Sequence, residues 1–379
     1  MSTAAVQECV RTRVGPDGSG RGTPAGPLRI VGNGTWLDAG HPVHVGEPLS
    51  LAGDDAILEY VASDLTLTAR AGATLASIAR ATRAEGQWLA LDPYGSANGT
   101  LGATIATGSA GTLAHAFGTP RDNVLGVEAV TGTGAIVRAG GRVVKNVAGF
   151  DLTRLFTGAW GTLAVITEAT VRLRALPERD ETITLALPSS VEMEGWLTKL
   201  RALPFTPLAL ELLNAPLARA LGLGDRAQLL GRLGGNEDAV REQMRALGAL
   251  GEMQPAPMAV WSALAEIEPP GAAVVRVSAP PSRLHALWAR LSIASEASLV
   301  HAAVGRGIVR GIHPASPHPS LGLWLDLISQ TEGTHIFERL PASEWSQVPS
   351  RANDPLSRAV RRAFDPQRIL NPGILGESA

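Results

Sequence analysis

Two glycine-rich runs hold most of the chemistry this sequence offers: IVGNGTWLDAG at 30–40 and DPYGSANGTLGATIATGSAG at 92–111. Fourteen glycines fall between 92 and 173, among short apolar runs prone to form strands. An ordinary core disfavours so many, because each glycine has extra backbone freedom to lose on folding. The segment is also too apolar for a flexible linker. The pattern predicts backbone that passes close to a large, flat, phosphate-bearing ligand, whose oxygens bare N–H groups can hold. Two standard nucleotide motifs fail. A Rossmann fingerprint needs G-x-G-x-x-G, and Leu37 stands where the third glycine would follow Gly32-Asn33-Gly34. A Walker loop needs lysine after glycine, whereas Lys145 and Lys199 follow Val144 and Thr198. A dinucleotide cradled between two glycine loops fits what remains.

The elements that must position these loops read as many short strands with interposed helices. Strand patterns are expected at 28–31, 65–72, 88–91 and 161–176, with a hairpin at 124–140 turning on Thr-Gly-Thr-Gly. Thr74 predicts a helix that Gly86 stops, and 99–108 predicts a small, tightly packed helix. Residues 1–26 read as a loose Gly/Pro/Ser/Thr-rich leader, and 27–176 as a ligand-binding domain. From Pro177 to 350 strands and helices alternate in an order that predicts an antiparallel sheet with helices on one face. The tail, 351–379, predicts an amphipathic helix and a Pro-bounded loop returning to the first domain.

The chain has 379 residues, 45% hydrophobic and 18% charged, with a net charge of −2, which predicts a soluble two-domain protein. Mixed charges near zero leave no basic surface for nucleic acid. No window offers the roughly 18 apolar residues of a membrane span, and the N-terminus lacks a signal-peptide core, so a cytoplasmic location is expected. Cys9 stands alone, which excludes an intrachain disulfide or a cysteine-ligated iron–sulfur cluster. If the chain moves electrons, an organic cofactor must carry them. Lys145 is one of two lysines against thirty-one arginines, which suggests a role for a compact ammonium.

Four ordered segments resemble the flavoproteins of the vanillyl-alcohol oxidase / p-cresol methylhydroxylase type: 30–40, 92–134, KNVAGFDLTRLF onward at 145–173, and FDPQRILNPG at 364–373. Within that family the chain is similar to the FAD-binding subunit of bacterial glycolate oxidase. The resemblance implies an α+β fold, a two-part FAD-binding domain of this type plus a reduced antiparallel-sheet cap domain. It further implies a complex with a larger FAD-linked oxidase subunit and an iron–sulfur subunit, attached through them to the inner face of the membrane. The reaction expected is oxidation of glycolate or another small 2-hydroxyacid. A self-sufficient FAD enzyme acting on a D-2-hydroxyacid or alcohol, and a flavin-less structural subunit, are the alternatives.

By the same resemblance, Gly32, Asn33, Gly34 and Thr35 would contact the diphosphate. Pro93, Gly95, Thr100, Gly102, Thr104 and Gly108 would line the diphosphate and flavin edge. Arg121 and Asp122 would close a loop over the flavin end or form a structural ion pair. Gly161, Thr162, Leu163, Val165 and Ile166 would lay strand backbone against the adenine or the flavin pyrimidine, and Arg368 and Asn371 in the tail would reach the flavin end or fix the domain interface. Lys145 or Asn146 would stabilise charge at the flavin pyrimidine, a surface lysine being the plainer reading. Covalent relatives carry a flavin-linking histidine where Thr35 stands, and His41 and His44 lie outside that position, so FAD is expected to bind non-covalently. In the second domain His301 and Arg306, with Arg310 and His313 nearby, supply a base and a carboxylate-binding cation. No paired metal-ligand spacing accompanies them, and no metal is expected.

Overall fold

A computed structural model describes residues 1–14, 26–43, 46–141, 151–315, 321–329 and 333–377. The chain divides into two compact units. One comprises Met1–Ala110, Gly118–Leu176 and Trp345–Ala379; the other comprises Gly111–Phe117 and Pro177–Glu344. The tail thus joins the first unit from Trp345 rather than from 351, and a short piece of the glycine-rich stretch belongs to the second.

Among the described residues the first unit holds nine strands: β1 (Leu28–Val31), β2 (Glu47–Ser50), β3 (Ile57–Val61), β4 (Thr66–Arg70), β5 (Gln87–Trp88), β6 (Val124–Thr131), β7 (Ile136–Gly140), β8 (Ala164–Arg172) and β9 (Arg174–Ala175). β1 and β2 run parallel, and Leu28 also bridges in parallel to Leu370 of the tail. An antiparallel sheet has the order β3-β4-β8-β6-β7. Its β6–β7 hairpin turns on the Thr131–Gly134 tip, closed by Gly134 N–H to the Thr131 carbonyl at 2.9 Å. Along β8, Val165, Thr167, Ala169 and Val171 alternate into the core, the period-2 burial of a strand. The Leu75–Arg83 helix starts where Thr74 Oγ1 accepts from Ser77 N at 3.0 Å, an N-cap that satisfies an otherwise unpaired amide. The strand expected at 88–91 shortens to Gln87–Trp88.

The loose leader expected over 1–26 is corrected at Thr3–Val14, which is a helix packed on β6 and β8. Val6 and Val10 are fully buried in the unit's core, and Gln7 Nε2 donates to the Gly134 carbonyl at 2.8 Å. Two valines four residues apart make a narrow apolar stripe, but the sheet face gives them somewhere to bury it. Residues 15–25 lie outside the described residues.

In the second unit, β10 (Arg179–Ala186), β11 (Ala209–Leu213), β12 (Gln228–Gly235), β13 (Met253–Pro255), β14 (Ala273–Ser278), β15 (Leu299–Ala303), β16 (Ile308–His313) and β17 (Thr334–Arg339) form one sheet. Its order is β13-β10-β12-β11-β15-β16-β14-β17, and its pairings are antiparallel, as expected. The Glu237–Gly248 helix packs on β10 and β12, and Leu284–Ile293 on β15 and β16.

Val10→Ala tests the packed N-terminal helix. Loss of its buried methyl groups is expected to lower the unfolding free energy by about 1–3 kcal/mol in a urea titration. An unchanged midpoint would return this segment to a loose leader.

Candidate functional site

A cleft enclosing about 690 Å³ of open space lies in the first unit, between the loop that follows β1 and the first turns of the Leu101–Thr107 helix. Glycine at 32 lets these pieces meet, since a Cβ there would collide with the Thr100 hydroxyl. Thr100 is itself the helix N-cap. At Gly102 a Cβ would stand 2.7 Å from that of Ala71, so the helix could not lie against that segment. Asn33 ties the two glycine loops together, its Nδ2 donating to the Asn98 carbonyl at 2.8 Å. Isoleucine, alanine and tryptophan side chains (Ile30, Ala103, Ala106, Ile166, Trp160) make the remaining walls largely apolar.

The tail holds the third side. Asn371, at φ 43°, accepts from Ile30 N at 2.8 Å through Oδ1 and donates from Nδ2 to the Trp160 carbonyl at 2.8 Å. Its backbone N–H donates to the Leu28 carbonyl at 2.9 Å. Gly161, at φ 67°, leaves room for that amide, because a Cβ would sit 2.8 Å from Nδ2.

Eight of the residues singled out in the sequence line this cleft: Gly32, Gly34, Thr35, Thr100, Gly102, Gly161, Ile166 and Asn371. Others serve packing behind it. Thr104 donates to the Thr100 carbonyl at 3.0 Å, Gly108 ends the helix at φ 66°, and Thr162 donates to the Ala159 carbonyl at 2.7 Å. Leu163 and Val165 are buried in the core, and Pro93 and Gly95 are not in the lining. Asp122 does not close over the cleft: its Oδ2 accepts from Thr119 N at 2.8 Å as part of a capping box, and this backbone bond first of all holds its carboxyl below the usual range. Arg121 beside it is exposed. Lys145, Asn146 and His44 lie outside the described residues.

Arg29, one residue into β1, was not evident from the glycine pattern. Its Nη2 donates to the Leu37 carbonyl at 3.3 Å, whereas Nη1 is buried without a hydrogen-bond partner at the cleft wall. Burial lowers its pKa below the ordinary arginine value. A buried, unsatisfied guanidinium N–H is costly unless an anion meets it. The sequence signal was a charged residue inside an otherwise apolar strand run, LRIV.

In the second unit, His301 Nδ1 lies 2.8 Å from Glu211 Oε2, and both residues are buried. Arg306 Nη1 donates to the Gly111 carbonyl at 3.5 Å, and His115 packs so closely on Gly305 that a Cβ there would strike its ring. Burial lowers the His115 pKa; Glu211 opposes this and Arg306 adds to it. Glu211 was legible as a lone carboxylate in the apolar run LALELL. By contrast Arg310 is held by Glu338 and Glu268, and His313 Nδ1 lies 3.2 Å from Ser298 Oγ, so both belong to the interior of the sheet.

Residues 25–140 match the family described as FAD binding domain. The architecture is similar to two structures of alkyldihydroxyacetonephosphate synthase, with TM-scores of 0.67 and 0.65 over 91% of this chain and 71% and 72% of those chains, at 16% identity. This chain therefore carries an FAD-binding domain, with FAD as its cofactor, in an α+β fold of the vanillyl-alcohol oxidase / p-cresol methylhydroxylase type. The residues present fit that group: the partnerless Arg29 N–H and the glycine loops would suit an anionic diphosphate, and the apolar walls would suit flat rings.

Among proteins of similar sequence are the glycolate oxidase subunit GlcD of Bacillus subtilis, 36% identical over 192 residues (50% of this chain, 41% of that protein), and GlcE of Escherichia coli, 33% identical over 224 residues (59% and 60%). The probable mitochondrial D-lactate dehydrogenase of Danio rerio is 35% identical over 167 residues, which is 43% of this chain and 33% of that one. The matched regions thus span about half the length of these curated relatives.

Arg29→Met is expected to raise the dissociation constant for FAD by about tenfold, since one charge-assisted hydrogen bond is lost. Fluorescence titration of the flavin-free protein checks this, and unchanged affinity would remove Arg29 from the site. The His115 value gives a second test. Its folded pKa lies below the ordinary 6.5, so its contribution to stability is complete above that value and is lost as pH falls through the folded value. The loss of unfolding free energy between about pH 7.5 and pH 5 should therefore be smaller in His115→Gln. Equal slopes would show that burial leaves the ring's pKa at its ordinary value in the folded protein.

Proposed function

We propose that this chain is the FAD-carrying subunit of an oxidase complex that converts glycolate, or a similar 2-hydroxyacid, to the 2-oxoacid. The observation that carries this reading is the cleft itself, an FAD-type cradle with a buried cationic N–H on its wall, in a chain related to two glycolate oxidase subunits. When bound, FAD supplies the two-electron oxidation of the substrate's CH–OH group. The Gly32–Leu37 loop and Arg29 would hold its diphosphate, the Asn371 clasp fixes the 158–161 segment, and the apolar wall would exclude water. Thr35 offers no imidazole to bond to the flavin, so the cofactor is held without a covalent link.

Electrons leave for partners. Cys9 is the single cysteine, and among the described residues there is no cluster of His, Cys, Asp or Glu able to hold a metal. A larger flavoprotein subunit and an iron–sulfur subunit supply that route. No helix among the described residues is long and apolar enough to cross a membrane, so attachment at the cytoplasmic face would come through those partners.

One observation favours a second reading, a self-sufficient enzyme for a D-2-hydroxyacid. Glu211 fixes the tautomer and orientation of the His301 ring, with Arg306 nearby on the β15–β16 loop. That arrangement suits a proton acceptor beside a carboxylate-binding cation.

The purified chain is expected to show flavin absorbance, and acid precipitation should release FAD quantitatively into the supernatant. Flavin remaining in the pellet would overturn the non-covalent reading, and its absence from both fractions would sink the flavoprotein readings. Under anaerobic conditions glycolate or D-lactate should leave the absorbance of the isolated chain unchanged. Bleaching by either substrate would move the conclusion to the self-sufficient enzyme.

A further inference from the structure

A second groove opens in the first unit, along the Pro355–Phe364 helix and against Leu155 and Leu163, with about 1300 Å³ of open space. The helix sequence PLSRAVRRAF sets Leu356, Val360 and Phe364 in one row at i, i+4 spacing. Phe364 meets Phe156 edge to face at a centroid distance of 5.5 Å, and Val360 packs on the same core. Leu356 carries the row one turn beyond that core and is 73% exposed. The apolar stripe therefore overruns its own support and ends in the groove.

The charges around it are unbalanced. Arg358 and Arg362, also one turn apart, are exposed and have no side-chain hydrogen bond or ion pair among the described residues. The two acids in the lining are already engaged. Asp365 accepts from the Ile369 and Leu370 amides, each at 3.0 Å, and pairs with Arg361. Glu377 pairs with Arg361 at 2.6 Å and accepts from Gly373 N and Leu375 N. An exposed leucine and two uncompensated guanidinium groups thus line the groove.

We propose that this groove docks an acidic polypeptide segment bearing an apolar side chain, supplied by a partner chain. Leu356 offers the apolar contact and Arg358 and Arg362 take the carboxylates, an arrangement that sets both orientation and association rate. From Leu356 to Arg362 the helix advances about 9 Å. An occupant that reaches all three side chains must span at least that rise, about three residues of extended chain, which a small dicarboxylate does not. The inference stands on the groove alone and holds whichever substrate the flavin oxidises.

The test uses the full FAD-loaded chain and a fluorescein-labelled peptide, Asp-Glu-Leu-Glu-Asp-Leu-Glu-Glu, followed by fluorescence anisotropy. Saturable binding is expected, weakened about tenfold by Arg358→Glu/Arg362→Glu and about threefold by Leu356→Ser. The neutral pair Arg358→Gln/Arg362→Gln should shift affinity in the same direction, which guards against damage from charge reversal. The proposal is overturned by absence of binding, by equal affinity in these variants, or by equal binding of a peptide with serine in place of leucine. Displacement by citrate at concentrations equal to the peptide's would also overturn it, assigning the groove to small carboxylates instead.

Discussion

One side-chain amide ties the cleft of the first unit together. Asn371 uses its acceptor on β1 and its donor on the Trp160 carbonyl, so a single residue joins the first strand, the loop before β8 and the tail. Both partners are backbone groups that would otherwise stand unpaired in a buried place, where each missing bond costs about 1–3 kcal/mol. Aspartate would keep the acceptor and lose the donor, and leucine would lose both. The backbone also favours asparagine, which tolerates the left-handed conformation found here better than most residues. The loop after β1, the docked 158–161 segment and the Leu101–Thr107 helix all depend on that junction.

Much of the first unit was legible because its signals are local. Thr74 and Thr100 announce their helices, and the Thr-Gly-Thr-Gly tip announces its hairpin. The glycines were read correctly as marks of close approach, but their partner was partly misread. Gly32 and Gly102 make room for Thr100 and Ala71, and Gly161 for Asn371, so much of the density serves chain against chain. A sequence shows that a side chain is forbidden without showing what forbids it.

The features that sequence reading missed are non-local. The Thr3–Val14 helix carries a stripe of two valines, and only the β6–β8 surface 120 residues and more away makes that stripe meaningful. Arg29 and Glu211 each sit in an apolar strand, where a charge is equally a packing ion or a working group. Arg310 and His301 show how the same pattern divides. Two glutamates hold Arg310 inside the sheet, whereas His301 meets the Glu211 carboxylate just before a loop that carries Arg306 and on which the His115 ring packs. That difference resides in partners distant in sequence, Glu268 and Glu338 for Arg310 and Glu211 for His301.

Asn371 and Ile30 are 341 residues apart in the chain. On the ribosome, β1 and its glycine loop emerge early, yet the residue that clasps them is made after the whole second unit. Through that interval the first unit lacks its tail and the Asn371 clasp, while the segment from Gly111 to Phe117 waits for strands still to be translated. The strand made before the second unit therefore gains its clasp only after that unit has been made. Closure of this cleft is thus a late event in the making of the chain, since its third wall arrives only with the tail.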